Sequence, residues 1–244
     1  MRLLVPFALL VLALLVVIQL DDAPADPDFV YVNQNEIFTL DPQRMSYLQD
    51  LRLAHALYEG LLRWDNRDFT IHPAAALDRP EISDDGLTYT FQLRPDARWS
   101  NGDPVTAHDY IYSWRRAMLP DTAADYSGLF LMIDGAEAHF AFREAQTAGF
   151  AEDESIPAAD RPARAEQLWR EAERHFHSTV GLRAIDDRTL EVRLARPTAY
   201  FLDLLCFGIY FPVHRPTVEG WPERPDVPEW PTATAGMSRT SAAD

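Results

Sequence analysis

Apolar residues alternate along Thr88-Tyr89-Thr90-Phe91-Gln92-Leu93, placing Tyr89, Phe91 and Leu93 on one face. That spacing predicts a half-buried strand entered through the tight-turn dipeptide Asp85-Gly86. The same period returns around Asp186-Asp187, where Leu182, Ala184, Leu190, Val192 and Leu194 predict a second hairpin. Phe29-Val30-Tyr31-Val32 predicts a first strand, and Leu61-Leu62-Arg63-Trp64 an extended segment before a polar turn. Elsewhere the period is helical. Leu48, Leu51, His55 and Tyr58 define one helix, with Ser46-x-x-Gln49 as a capping box and Gly60 as its stop. Thr106-x-x-Asp109 opens another, with Tyr110, Ile111, Trp114 and Met118 on one stripe and Pro120 closing it. Residues 134–178 are helical in pattern and broken by a polar segment, which predicts two helices, the second over 163–176. Pro197 and Tyr200-Phe201-Leu202 lead into a further helix or turn.

The N-terminus obeys another logic. Met1-Arg2 precedes an apolar run over residues 3–18, which ends at Gln19, Leu20, Asp21 and Asp22. One positive charge, a Leu/Val-rich stretch and an abrupt polar boundary predict a signal peptide or membrane anchor over residues 1–25. As a helix, Leu3 to Leu20 spans roughly 27 Å, close to the about 30 Å of a bilayer core, so length does not separate the two. Ala23-Pro24-Ala25 offers a small-residue cleavage site. Residues beyond Ala25 are expected outside the cytoplasmic membrane.

Composition narrows the function classes. The 244 residues are 47% hydrophobic and 25% charged, a balance suited to a folded core. Acidic residues outnumber basic ones 38 to 22, giving a net charge of −16, and every basic residue is arginine. Phosphate-backbone binding needs a basic footprint, so nucleic acid is excluded as the partner. The single cysteine, Cys206, rules out an intrachain disulfide and a multi-cysteine zinc or iron–sulfur centre.

The segment from Asp84-Asp85-Gly86-Leu87 through Leu93-Arg94-Pro95-Asp96-Ala97-Arg98-Trp99 and Ser100-Asn101-Gly102-Asp103-Pro104 to Ser113-Trp114-Arg115-Arg116 resembles the signature of family 5 extracytoplasmic solute-binding proteins. These are the oligopeptide- and dipeptide-binding components of ABC importers. Leu40-Asp41-Pro42, Leu57-Tyr58-Glu59-Gly60-Leu61 and Ala184-Ile185-Asp186-Asp187-Arg188-Thr189-Leu190-Glu191-Val192 fit the same pattern. The resemblance covers residues 29–222 and is weakest over 138–177. It implies the N-terminal part of a two-lobed α/β periplasmic-binding-protein fold of type II, with a mixed sheet, flanking helices and a hairpin-containing subdomain. The implied organisation is a first lobe from residues 29–58 and 180–231, a flanking subdomain at 59–179, and a tail at 232–244 outside the family pattern. The second lobe is expected to be missing, as in a truncated chain.

The resemblance also implies a mechanism, a peptide captured non-covalently between lobes and handed to a membrane permease. Tyr126 falls where relatives line the peptide site with a tyrosine, and Ser46 and Tyr47 fall where relatives pair main chain with ligand. As read from the residues alone, Tyr126 is equally a loop-packing tyrosine and Ser46 a helix cap. Trp99 and Trp114 are expected in the core. His175 and His177 stand without further metal ligands, and Glu59, Asp96, Asp103 and Asp109 are accounted for by cap and turn roles. No nucleophile elbow, P-loop or zinc-protease motif occurs, so neither catalysis nor a cofactor is expected. A non-binding remnant of such a protein and a membrane-tethered interaction module stay open as alternatives.

Overall fold

The strand signals converge on one antiparallel sheet with a helical excursion between its two central strands. A computed structural model describes residues 30, 32, 33 and 35–219. The expected N-terminal leader at 1–25 and the tail at 232–244 lie outside the described residues. Most of the expected first strand does too, and Val30 and Val32 are in no strand.

From residue 35 onward the elements run α1 (Leu48–Leu57), β1 (Leu62–Trp64), β2 (Ile71–Pro73), β3 (Glu81–Ile82), β4 (Thr88–Gln92), α2 (Ala107–Met118), α3 (Ala136–Glu152), α4 (Arg161–Thr179), β5 (Leu182–Asp186), β6 (Thr189–Arg193), α5 (Phe201–Leu204) and α6 (Arg215–Glu219). Four strands form a sheet in the order β3-β4-β6-β5, and β1-β2 form a separate two-stranded ribbon. Every pairing among the described strands is antiparallel. The sheet joins segments that the sequence division places in different parts, because β4 pairs with β6 from Thr88↔Arg193 to Gln92↔Thr189.

Alternation explains the register. Phe91 faces Leu190 and Tyr89 faces Val192, and all four side chains are buried. Slipping one residue would carry these side chains to the other face, so the pattern fixes the pairing. Gly86 supplies the turn between β3 and β4 with a φ of +67°, a region glycine enters freely. Between β5 and β6 the register shifts at Ala184–Asp186, a bulge next to the Asp186-Asp187 turn.

Helix α2 is the hub. Its start is the expected capping box: the Asp109 carboxylate accepts from Thr106 N at 2.8 Å and from Thr106 Oγ1 at 3.0 Å. Tyr110, Trp114 and Met118 are fully buried, and Trp114 Nε1 donates to the Tyr210 carbonyl at 2.8 Å. Helices α3 and α4 replace the two helices expected from 134–178, with α4 longer at both ends than the predicted 163–176. They close a small second cluster of Phe150, Ala165 and Leu168.

Two local expectations give way. Ser46 is not the N-cap of α1: Tyr47 is, without a side-chain cap bond, and the helix begins one residue later than Ser46-x-x-Gln49 requires. The third helical residue, Asp50, is instead buried, and its Oδ1 accepts from Phe38 N at 2.9 Å. Gly60 does not stop α1, which ends in the extended residue Tyr58. Its role is close approach, since a Cβ there would come within 2.5 Å of the Phe211 ring.

Candidate functional site

A groove of about 900 Å³ runs between the loop before α1, the end of α1, the Trp99–Asn101 turn and the segment from Pro212 into α6. Leu40, Leu57, Val105, Val213 and Val218 make its apolar lining, with Trp99 as a wall. Trp114 sits in the core as expected, whereas Trp99 is half-buried and shared with the groove. Its ring lies 5.4 Å from that of His214, and its Nε1 is 3.4 Å from Asp109 Oδ2. Trp99 lies between the Pro95-Asp96 turn and the Ser100–Gly102 turn, which leaves it half-buried rather than in the core.

Most polar groups of the groove are already engaged within the chain. Asp41 Oδ2 accepts from Arg116 Nη2 at 2.6 Å, and the Gln43 side-chain oxygen accepts from Arg116 Nη1 at 2.6 Å. Gln43 Nε2 donates onward to the Phe211 carbonyl at 2.8 Å, tying the loop before α1 to the segment after α5. Tyr58 donates to the Leu40 carbonyl at 3.0 Å; burial, with Asp41 adding to it, holds its phenol above the ordinary range. Glu59 pairs with Arg94 at 2.9 Å, and His214 bridges Asp103 at 3.0 Å and Thr217 at 2.7 Å. The groove can therefore bury apolar side chains, and on its lining the exposed Arg44 and Arg98 keep guanidinium donors for a ligand's polar groups.

None of the three residues singled out from the sequence lines that groove. Tyr47 is 51% exposed, and its ring is tilted against that of Phe38, itself 77% exposed, at 5.6 Å between centroids. Ser46 is half-buried beside it. Tyr126 is half-buried too, at the start of a short 3-10 turn, with its ring edge-on to Phe207 at 5.4 Å. The turn Gly208–Tyr210 is the piece common to both places. Phe207, just before it, holds Tyr126, and Gly208 packs on Leu51 and Ala54 of α1, the helix that Tyr47 begins. The adjacent exposed rings of Phe38 and Tyr47 form a small aromatic surface.

His175 lies on α4 and stacks on Phe142 at 4.0 Å, with Nδ1 3.2 Å from His139 Nδ1. His177 is exposed. Among the described residues no group of three or more His, Cys, Asp or Glu is placed to hold a metal ion, and no helix is long and apolar enough to cross a membrane. Cys206 is buried, and its thiol is pushed up to about 12 by burial.

Comparison with known proteins gives this geometry its context. The family profile "bacterial extracellular solute-binding proteins, family 5 Middle" matches residues 70–236, past Thr232, where the sequence pattern was expected to leave the family. The periplasmic oligopeptide-binding protein OppA of Escherichia coli is 31% identical over 192 residues, 79% of this chain and 30% of that protein. A probable deoxycholate-binding periplasmic protein of the same organism, YgiS, is 34% identical over 185 residues, 76% of this chain and 29% of that protein. Among solved structures, Listeria monocytogenes OppA bound to peptide superposes with a TM-score of 0.59 and 35% identity over 78% of this chain and 31% of that one. The chain thus spans about three tenths of the length of these relatives. It carries the corresponding part of the oligopeptide-binding-protein fold, and it belongs to the bacterial extracellular solute-binding proteins of family 5.

Proposed function

We propose that this protein is the peptide-binding component of an ABC-type importer, capturing oligopeptides outside the cytoplasmic membrane for delivery to a membrane permease. The observation that carries this reading is the 35% identity to a peptide-bound structure over 78% of the chain. In this proposal residues 29–58 and 180–231 belong to the first lobe and 59–179 to a flanking subdomain, and the N-terminal apolar run exports or tethers the chain.

Ser46, Tyr47 and Tyr126 form the wall offered to ligand. The exposed face of Tyr47 supports that role, because an aromatic ring with a hydroxyl presents both apolar area and a polar handle. Extended peptides are held by main-chain pairing, with side chains in roomy pockets. A cleft site commonly buries about 70–90% of a small ligand's surface. One wall buries less than this, and in this proposal an opposing lobe covers the rest of the ligand.

Thermal unfolding of the purified full chain, with and without a mixed library of short peptides, tests the reading. Deoxycholate serves as the competing probe, given the relative named for it. A rise in midpoint with peptides supports peptide capture. No rise with any peptide overturns it for this chain in favour of a non-binding remnant, and a rise with deoxycholate alone overturns it in favour of a sterol-like ligand.

A further inference from the structure

Arginines gather at one cleft of a chain whose overall charge is −16. The cleft, about 390 Å³, lies between α2, α4 and α6. Tyr112 and Arg115 stand on one face of α2, with His108 and Ile111 at helical spacing before them. Arg170, Arg174 and His177 stand on a face of α4 with the same i, i+4, i+7 spacing, and α6 adds Arg215. One carboxylate, Glu173, shares the lining.

Internal pairing leaves much of this donor capacity unspent. Arg115 uses Nη1 on Glu173 at 2.9 Å, Arg170 uses Nη1 on Glu166 at 2.7 Å, and Arg215 uses Nε on Glu219 at 2.9 Å. Arg174 makes no ion pair among the described residues. Each guanidinium presents five N–H donors, so most of them stay available. Two further polar atoms are buried without a hydrogen-bond partner: Arg115 Nε, on a residue only 7% exposed, and the Tyr112 hydroxyl, on a residue only 5% exposed. Native structures rarely leave such atoms unpaired, because desolvation without a partner is costly. Arg115 is held in place over the Trp169 ring at 5.5 Å, and Arg215 over the Tyr112 ring at 5.3 Å. Burial pushes the Tyr112 phenol up to about 12, so near neutrality it is a protonated donor.

We infer that this cleft binds a phosphate group carrying two or more negative charges, held by Arg115, Arg170, Arg174 and Arg215. A planar guanidinium fork matches phosphate oxygens in a two-pronged geometry that a single point charge does not. Glu173, Glu166 and Glu219 each offset one of these arginines, which leaves Arg174 uncompensated and several N–H donors that a monoanion would not fill. The distant carboxylates that make the chain acidic are screened beyond about 10 Å at 0.1 M salt, whereas direct contacts in the cleft are not. The inference is independent of peptide capture, since the cleft shares no residue with the larger groove or with Ser46, Tyr47 and Tyr126.

Free phosphates and phospholipid headgroups share this chemistry, and two measurements on the full chain separate them. Titration calorimetry at low salt uses inorganic pyrophosphate as the probe. Co-sedimentation uses phosphatidylcholine vesicles with and without phosphatidic acid. Arg174→Glu reverses an exposed charge on α4, Arg183→Glu makes the same change on β5, and Arg170→Gln repeats the test with a milder substitution. Binding of pyrophosphate that weakens by about tenfold or more in Arg174→Glu and holds in Arg183→Glu supports a free phosphate ligand. The same pattern with phosphatidic acid vesicles supports a headgroup. Absence of binding to either probe, or equal losses in Arg174→Glu and Arg183→Glu, overturns the site.

Discussion

Arg143 and Asp121 form a two-pronged ion pair sealed from solvent, with Nε to Oδ2 at 2.8 Å and Nη2 to Oδ1 at 2.6 Å. Their side chains are 0% and 1% exposed. The pair joins α3 to the turn that follows α2, with the guanidinium lying 5.5 Å from the centre of the Trp169 ring of α4. Removing one partner strands a buried charge, which costs about 3–5 kcal/mol. Asp121→Ala is therefore expected to lower the urea midpoint sharply. The double variant Asp121→Leu/Arg143→Met, which removes both charges, should recover most of that loss. A double variant no more stable than Asp121→Ala would show that packing, not charge, holds this corner.

The neighbouring histidines make stability depend on acid. His139 is buried, its Nδ1 is 3.2 Å from that of His175, and its Nε2 has no partner. Burial first, then His175, Arg115 and Arg143, push its pKa down to about 4 from an ordinary 6.5, with Asp121 acting weakly the other way. The unfolded chain binds this proton more readily than the folded one, so stability is retained above pH 6.5 and falls as pH drops toward 4. The effect is on the order of 2 kcal/mol after allowance for solvent screening. Denaturant unfolding at several pH values should show His139→Phe with a shallower acid slope than the parent chain. An unchanged slope would assign the acid sensitivity to the carboxylates.

Two glycines, one capping α3 and one inside it, should respond in opposite directions. Gly135 has a φ of +73° just before α3, and a Cβ there would run into the Thr179 carbonyl. Gly135→Ala is expected to destabilise by about 2 kcal/mol or more. Gly149, inside α3 with open space around it, should instead gain about 0.5–1 kcal/mol as alanine. Thermal midpoints of the two variants test both signs at once.

Tyr47 offers a clean separation of binding from folding. Its side chain is half in solvent, so Tyr47→Ala should shift the ligand-free midpoint by no more than about 0.5 kcal/mol. The peptide-dependent rise in midpoint should nevertheless shrink, as it should for Tyr126→Ala. A full peptide response in both variants would remove these residues from the ligand wall.

Elements with strict periodicity and local capping were legible in the sequence. The β4 alternation, the hairpin around Asp186-Asp187 and the Thr106–Asp109 cap all occur where the pattern places them. Features decided by distant partners were not. Around the displaced Ser46 cap, Asp50 accepts from Phe38 N, twelve positions upstream, and Gly60 is constrained by Phe211, far along the chain. The arginine cleft was equally invisible, because helices α2 and α4 each read as ordinary amphipathic segments until they are set side by side. Its signal is the matched i, i+4, i+7 placement of charge, which only the packing of the two helices makes meaningful.

The pairing of β4 with β6 has a consequence for biosynthesis. Gln92 and Thr189, which bond across these strands, are 97 positions apart. At about 5–20 residues per second, the ribosome delivers the second partner roughly 5–20 s after the first. Throughout that wait Tyr89 and Phe91 belong to a strand with only the two-residue β3 beside it, a sticky edge in a nascent polypeptide. A holdase engaging the region around Tyr89 during synthesis would shield that edge until its mate emerges.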